Sequence, residues 1–223
     1  MRTAPVQHIL FDLDGTLIDS IEGIEHSVRQ AVSAVLPGRE VPPLQDLIGP
    51  PIRSVMQRAL ANVTAEQLDD LERRFRASYD TDGWRMVMCY DGVMATLQGL
   101  QDRGVQCFVV TNKPALPTHR ILEALTLDRY FRDVATPDAV TPRFSSKTDT
   151  TRSLLQRHEL PPDRTVLVGD SRDDAEAAAH CGLGFVSVAY GPGKALDASE
   201  FPILAVLQQF DELLTLIGCI QTP

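Results

Sequence analysis

Short apolar runs rich in β-branched and aromatic residues recur at 9–12, 105–111, 133–136, 165–169 and 185–188, and helix-like segments at 92–103, 114–125, 147–158 and 173–181 separate them. Strand–helix alternation with short connections leaves few solutions. A parallel strand needs a crossover to reach its neighbour, and the crossover helices cover both faces of the sheet. The expected fold is therefore α/β, with a Rossmann-like parallel sheet core and helices on both faces. Toward the end, Ile203, Leu207, Phe210 and Leu214 fall at helical spacing, which predicts a last helix over 202–217.

The alternation breaks once. From 21 to 82 there is almost no strand signal, but helices are expected at 21–36, 52–61 and 65–78. Thr64 and Gln67 have the spacing of a capping box for the third of these. Pro37-Gly38, Pro42-Pro43 and Pro50-Pro51 punctuate the region. An all-helical block inside an α/β chain reads as an inserted domain. The expected division is a core of 1–17 and 85–223 with a helical insert of 18–84.

Composition narrows the setting. The 223 residues are 43% hydrophobic and 23% charged, as in an ordinary globular protein. No apolar run approaches the roughly 20 residues that span a bilayer, and the start, Met-Arg-Thr-Ala-Pro-Val-Gln-His, lacks a signal-peptide core. Cys89, Cys107, Cys181 and Cys219 stand far apart, as free thiols of a reducing compartment do. A cytoplasmic protein with no membrane partner is expected. Thirty acidic against 21 basic residues give a net charge of −9, which disfavours nucleic acid as a partner. Only three of the 21 cations are lysine: Lys113, Lys147 and Lys194. A lysine kept where arginine is the habit points to a site needing a compact point charge. Lys113 and Lys147 fall at such sites, whereas Lys194 reads as solvated surface.

In an open parallel sheet, ligands bind outside the carboxyl ends of the strands. After the first strand stand Asp12, Asp14, Gly15 and Thr16. Alternate positions of a strand share a face, so the two carboxylates address one pocket, and like charges that close push their pKa values apart. One carboxylate then suits a nucleophile or metal ligand and the other a proton donor. After 105–110 come Thr111, Asn112 and Lys113, with Pro114 at the expected first position of a helix whose N-terminus is an anion site. After 165–169 come Asp170, Ser171, Arg172, Asp173 and Asp174, with Ser171 and Asp174 at capping-box spacing. Lys147 opens a helix, where a cation meets the unfavourable end of the dipole; that placement calls for an anion opposite it.

Asp12-Leu13-Asp14-Gly15-Thr16, Thr111-Asn112, Lys147 and Gly169-Asp170-Ser171-Arg172-Asp173-Asp174, in this order and spacing, resemble the haloacid dehalogenase superfamily of phosphotransferases. The resemblance spans essentially the whole chain, and the helical insert looks like that family's smaller cap. It implies that Asp12 attacks phosphorus to give an aspartyl-phosphate, and that Asp14 protonates the leaving oxygen and then deprotonates water. It implies Mg²⁺ held by Asp12, by the backbone carbonyl of Asp14 and by Asp170. Gly15, Thr111, Asn112 and Lys113 would bind phosphate, Lys147 would balance its charge, and Ser171 and Asp174 would support the site.

Asp14 separates this chain from haloacid dehalogenases proper, which have no alkoxide to protonate. The absence of lysine from 18–84 separates it from phosphonate hydrolases that use a cap Schiff base. Leu47–Arg53 and Tyr190-Gly191-Pro192-Gly193 are similar to phosphoglycolate phosphatases, so a small phosphorylated metabolite such as 2-phosphoglycolate is the expected substrate, and Arg53 the cap residue reaching its far end. Thr148 after Lys147 and Asp91 before Gly92 depart from the usual proline at each place. Nucleotidase, pyrophosphatase and β-phosphoglucomutase-type mutase activities use the same core. Outside that class stand a receiver-type signalling domain, whose acceptor ends a middle strand, and a catalytically silent phosphate-binding protein. A monomer or homodimer is expected.

Overall fold

The computed structural model describes residues 5–193 and 196–218, so Lys194 and Cys219 lie outside the described residues. Ile9, Leu10 and Phe11 follow one another without alternation, and such a strand needs apolar cover on both faces. In β1 (His8–Phe11), Ile9 and Phe11 face one apolar cluster and Leu10 faces a second. The chain then forms β2 (Ile18–Asp19), leaves through the helical insert, and returns along β3 (Met88–Cys89), antiparallel to β2.

The insert contains α1 (Ile21–Val35), α2 (Ile52–Ala59) and α3 (Ala65–Tyr79). Their apolar stripes close on a third cluster that includes Ile24, Val28, Val55, Met56, Leu71 and Phe75. Thr64 and Gln67 form the capping box expected of them at the start of α3.

From β3 the core runs through α4 (Val93–Asp102), β4 (Gln106–Val110), α5 (Ala115–Ala124), β5 (Phe131–Ala135), α6 (Lys147–Arg157), β6 (Thr165–Gly169), α7 (Arg172–Cys181), β7 (Gly184–Val188), β8 (Ile203–Leu207) and α8 (Glu212–Ile217). The sheet order is β5-β4-β1-β6-β7-β8, with every pair parallel. Residues of α4, α5 and α8 pack with Ile9 and Phe11, while α6 and α7 pack with Leu10. The expected parallel sheet with helices on both faces is what the chain forms. β1 lies between β4 and β6, so its carboxyl end opens between theirs, where the loops diverge. Among the described residues no helix is long and apolar enough to cross a membrane.

One expectation fails. The helix expected over 202–217 is a strand, β8, followed by the short α8. Ile203 and Leu207 are spaced for a helix, but Ala205 between them also turns inward, and the period is two. The open edge of β7 decides the matter: its backbone groups gain partners along 203–207, which a helix could not supply. The outward residues Leu204 and Val206 remain exposed.

Candidate active site

The end of β1 brings the first acid pair into the crevice. Asp12 continues the ladder, its N–H donating to the Val168 carbonyl at 2.9 Å, and its side chain is buried. Lys147, the first residue of α6, reaches across: its Nζ donates to Asp12 Oδ1 at 2.5 Å and stands 2.5 Å from Asp174 Oδ1. Asp174 is held from behind, its Oδ2 accepting from the Ser171 N–H at 3.0 Å and the Ser171 hydroxyl at 2.5 Å. Asp14 takes a different set of partners. Its Oδ1 accepts from the Ser20 hydroxyl at 2.6 Å and lies 2.9 Å from Lys113 Nζ. Two carboxylates two residues apart are thus served by two different lysines.

Among the described residues, three buried carboxylates, Asp12, Asp170 and Asp174, gather about the ammonium of Lys147. Burial lifts the Asp12 carboxyl well above the usual range; Lys147 opposes this, and Asp174 and Asp170 add to it. Burial, then the charge of Asp174, raises Asp170 to about 7. Burial works against the charge of Lys147, but Asp12 and Asp174 outweigh it and hold its pKa above the ordinary value. Lys113 is likewise raised, burial being outweighed by Asp14 and Tyr79.

That excess of negative charge is where a cation fits. Asp12, Asp170 and Asp174 each offer an oxygen within 4.8 Å of the others. Asp174 Oδ2 is engaged by Ser171, and Asp174 Oδ1, though 2.5 Å from Lys147 Nζ, is buried without a hydrogen bond. Asp170 Oδ2 accepts from the Gly193 N–H at 3.0 Å, but its Oδ1 is buried with no hydrogen-bond partner. A bare, desolvated carboxylate oxygen beside Asp12 is a donor set that suits a hard divalent cation. Gly15 makes the close approach possible: at φ +86° it takes a left-handed turn, and a Cβ there would lie 2.3 Å from Asp170 Oδ2.

The remaining sequence-derived residues fall as follows. Thr111 is buried, and its hydroxyl accepts from the Lys113 N–H at 3.1 Å. Pro114 stands one position earlier than expected, at the N-cap of α5. Asn112 spends its side-chain amide on the Gly49 carbonyl (3.1 Å) and on Asp173 Oδ2 (2.8 Å), tying the insert to the core. Arg53, on α2, is engaged by Asp69 and Glu72 of α3 at 2.6 and 3.4 Å. It lines an outer cleft with Arg143 and Ser146, outside the cavity that Asp12 and Asp14 share.

That inner cavity, about 60 Å³, lies between the acid pair and the insert. Its insert wall is apolar, from Ile24, Ile52, Val55 and Phe75, except for Arg76 and Tyr79 of α3. The Tyr79 hydroxyl lies 2.9 Å from Lys113 Nζ. Sequence reasoning passed over both. The only signal for them is Phe75, Arg76 and Tyr79 within one helical turn, and it gives no hint of which face of the insert meets the core.

Comparison with known proteins identifies the family of the chain. The family model described as haloacid dehalogenase-like hydrolase matches residues 9–188. A phosphoglycolate phosphatase of Pseudomonas fluorescens is 31% identical over 225 residues, 96% of this chain and 79% of that protein. A Mycobacterium tuberculosis protein named tyrosine-protein kinase PtkA is 32% identical over 217 residues, 95% of this chain and 72% of that one. Among solved structures, a predicted phosphatase from Clostridium acetobutylicum superposes with a TM-score of 0.88 at 27% identity, covering 97% of this chain and 100% of the other. The chain belongs to the haloacid dehalogenase-like hydrolases, and its enzyme class is phosphatase.

Proposed function

We propose that this chain hydrolyses a small phosphorylated metabolite, with 2-phosphoglycolate the best candidate, through an aspartyl-phosphate on Asp12 and with Mg²⁺ as its cofactor. The observation that carries the reading is the division of partners at the end of β1: Lys147 holds Asp12, and Lys113 with Ser20 holds Asp14. Chemically similar carboxylates in different settings take different roles.

In the first step the Asp12 oxygen not held by Lys147 bonds to phosphorus while the bond to the leaving oxygen breaks. Asp14, bordering the same cavity, gives that oxygen its proton. In the second step Asp14 takes a proton from water, whose oxygen bonds to phosphorus as the bond to Asp12 breaks. Lys147 offsets the charge gathering on the phosphoryl oxygens, and Thr111, on the cavity wall, orients them with its hydroxyl. Mg²⁺, held by Asp12, Asp170 and the Asp14 carbonyl, supplies further charge neutralisation when bound. Residues 18–84 act as the cap that covers the reaction.

The relative named as a tyrosine kinase brings a competing outcome, transfer to a protein hydroxyl. The insert's largely apolar wall over the small cavity beside Asp12 favours a small substrate and water as the acceptor. A mutase, nucleotidase or pyrophosphatase would share the core. The enzyme is taken to be cytoplasmic, a monomer or homodimer, without nucleic acid or membrane partners.

The test is hydrolysis of 2-phosphoglycolate, β-glucose 1-phosphate, nucleoside monophosphates and pyrophosphate in Mg²⁺, ranked by kcat/KM. Asp12→Asn is expected to abolish turnover of every substrate. Full activity in that variant removes the nucleophile, and isomerisation of β-glucose 1-phosphate faster than its hydrolysis replaces phosphatase by mutase.

A further inference from the structure

Arg76 is the one cation that the insert contributes to the wall of the cavity shared with Asp12 and Asp14. Its side chain is only 26% exposed, yet among the described residues its guanidinium has no hydrogen bond within ordinary distance. Its nearest carboxylate is Glu72, whose Oε1 stands 4.0 Å away, beyond hydrogen-bond reach. The other oxygen of Glu72 lies 3.4 Å from Arg53 and so belongs to a second arginine. Asp80, Asp138 and Arg143 act on Arg76 from a distance, and burial, the largest influence, lowers its pKa. Guanidinium offers five donors in a rigid fork, and a mostly buried one seldom leaves all of them unused.

The surroundings define what would use them. Lys113 and Lys147 are spent on Asp14, Asp12 and Asp174, whereas Arg76 is only loosely engaged, by Glu72 at 4.0 Å and by the Phe75 ring at 5.6 Å. Ile24, Ile52, Val55 and Phe75 around it exclude water and strengthen any ion pair formed there. The space left beneath the insert is small, about 60 Å³, and favours a short substrate over a hexose or a nucleoside.

We infer that Arg76 is a specificity-determining residue, which binds by its fork a carboxylate carried one or two carbons from the phosphoester oxygen. Arg53, one helix away, is occupied by Asp69 and Glu72 and does not take this part. The inference rests on the phosphatase reading but concerns only the end of the substrate away from phosphorus. Carboxylate and guanidinium match in bidentate geometry, so the pair selects by shape as well as by charge.

The experiment compares 2-phosphoglycolate with 2-hydroxyethyl phosphate, which is similar in size and lacks the carboxylate. Each is assayed with wild type, Arg76→Gln and Arg76→Lys in Mg²⁺. The quantity read is the ratio of kcat/KM for the acid to that for the alcohol. It is expected to fall about ten- to a hundredfold in Arg76→Gln and by less in Arg76→Lys, which keeps charge but not the fork. Because the ratio is taken within one protein preparation, a fraction of misfolded variant cancels. An unchanged ratio in Arg76→Gln overturns the inference and leaves the phosphatase reading standing. Absence of hydrolysis of any phosphomonoester overturns the phosphatase reading instead. In that event calorimetric binding of the same two ligands to Asp12→Asn and to its Arg76→Gln double variant decides the inference: preference for the acid lost with Arg76 supports it, and equal affinities overturn it.

Discussion

Lys147 Nζ lies 2.5 Å from Asp12 Oδ1 inside the protein, with both side chains almost wholly out of water. An isolated carboxylate at that depth would take up a proton instead of ionising, a tendency that the ammonium opposes without cancelling. Lys147→Met removes the cation that Asp12 and Asp174 share. Breaking a buried pair from one side costs about 3–5 kcal/mol, and this loss should appear as a lower urea midpoint. kcat should drop by roughly 100- to 1000-fold, the scale of removing one fixed charge-stabilising group. Wild-type turnover in that variant would mean that Lys147 serves the fold alone.

The acid cluster makes stability depend on pH in an unusual direction. Asp170 has a folded-state pKa raised from 3.8 to about 7, so between those values the folded protein holds a proton that the unfolded chain has lost. By linkage, stability then falls as pH rises from about 4 toward 7, opposite to the behaviour of a salt-bridged carboxylate. Mg²⁺ competes with that proton, so added Mg²⁺ should raise the melting temperature more at pH 8 than at pH 5. Asp170→Asn should flatten the pH dependence and remove most of the Mg²⁺ effect. Scanning calorimetry in EDTA and in Mg²⁺, across pH, checks both.

Asn112 bridges the Gly49 carbonyl and Asp173, and so joins the insert to the loop after β4. Replacing it with alanine removes about 1–2 kcal/mol from the seating of the insert on the core, equivalent to a roughly 5- to 30-fold shift in that equilibrium. kcat/KM should fall within that range while the urea midpoint barely moves. Amide hydrogen exchange over residues 47–53 should accelerate. Exchange unchanged in Asn112→Ala would show that other contacts hold the insert down.

Gly23 lies in α1, where alanine ordinarily stabilises a helix by about 1 kcal/mol. Here a Cβ would sit 2.1 Å from the Gly83 carbonyl oxygen, a backbone atom that has no rotamer to yield. Steric conflict wins, and Gly23→Ala should destabilise by about 1–3 kcal/mol, read from the urea midpoint. A gain in stability would mean that α1 can slide away from residues 83–85.

The central strands were legible because burial on both faces leaves an unbroken apolar run, as in Ile9-Leu10-Phe11 and Val166-Leu167-Val168. The acid pair, Lys147 and the Asp170 cluster were legible because strand ends in a parallel sheet converge, and polar residues there stand out against the apolar runs before them. β8 was not, because Ile203 and Leu207 satisfy periods of two and four equally and only the open edge of β7 breaks the tie. Arg76 and Arg53 look alike in sequence, each an arginine on a helix of the insert. Which of them borders Asp12 depends on how the insert is seated, a long-range fact with no local signature.

β2 and β3 run side by side, so the segment between them departs and comes back through neighbouring strands. A length of chain whose two ends are adjacent behaves like a cartridge in a socket. It can be lengthened, shortened or exchanged by recombination with no change in the register of the six-stranded sheet. Variation in that segment therefore leaves the strand ends carrying Asp12, Lys113 and Asp170 where they are.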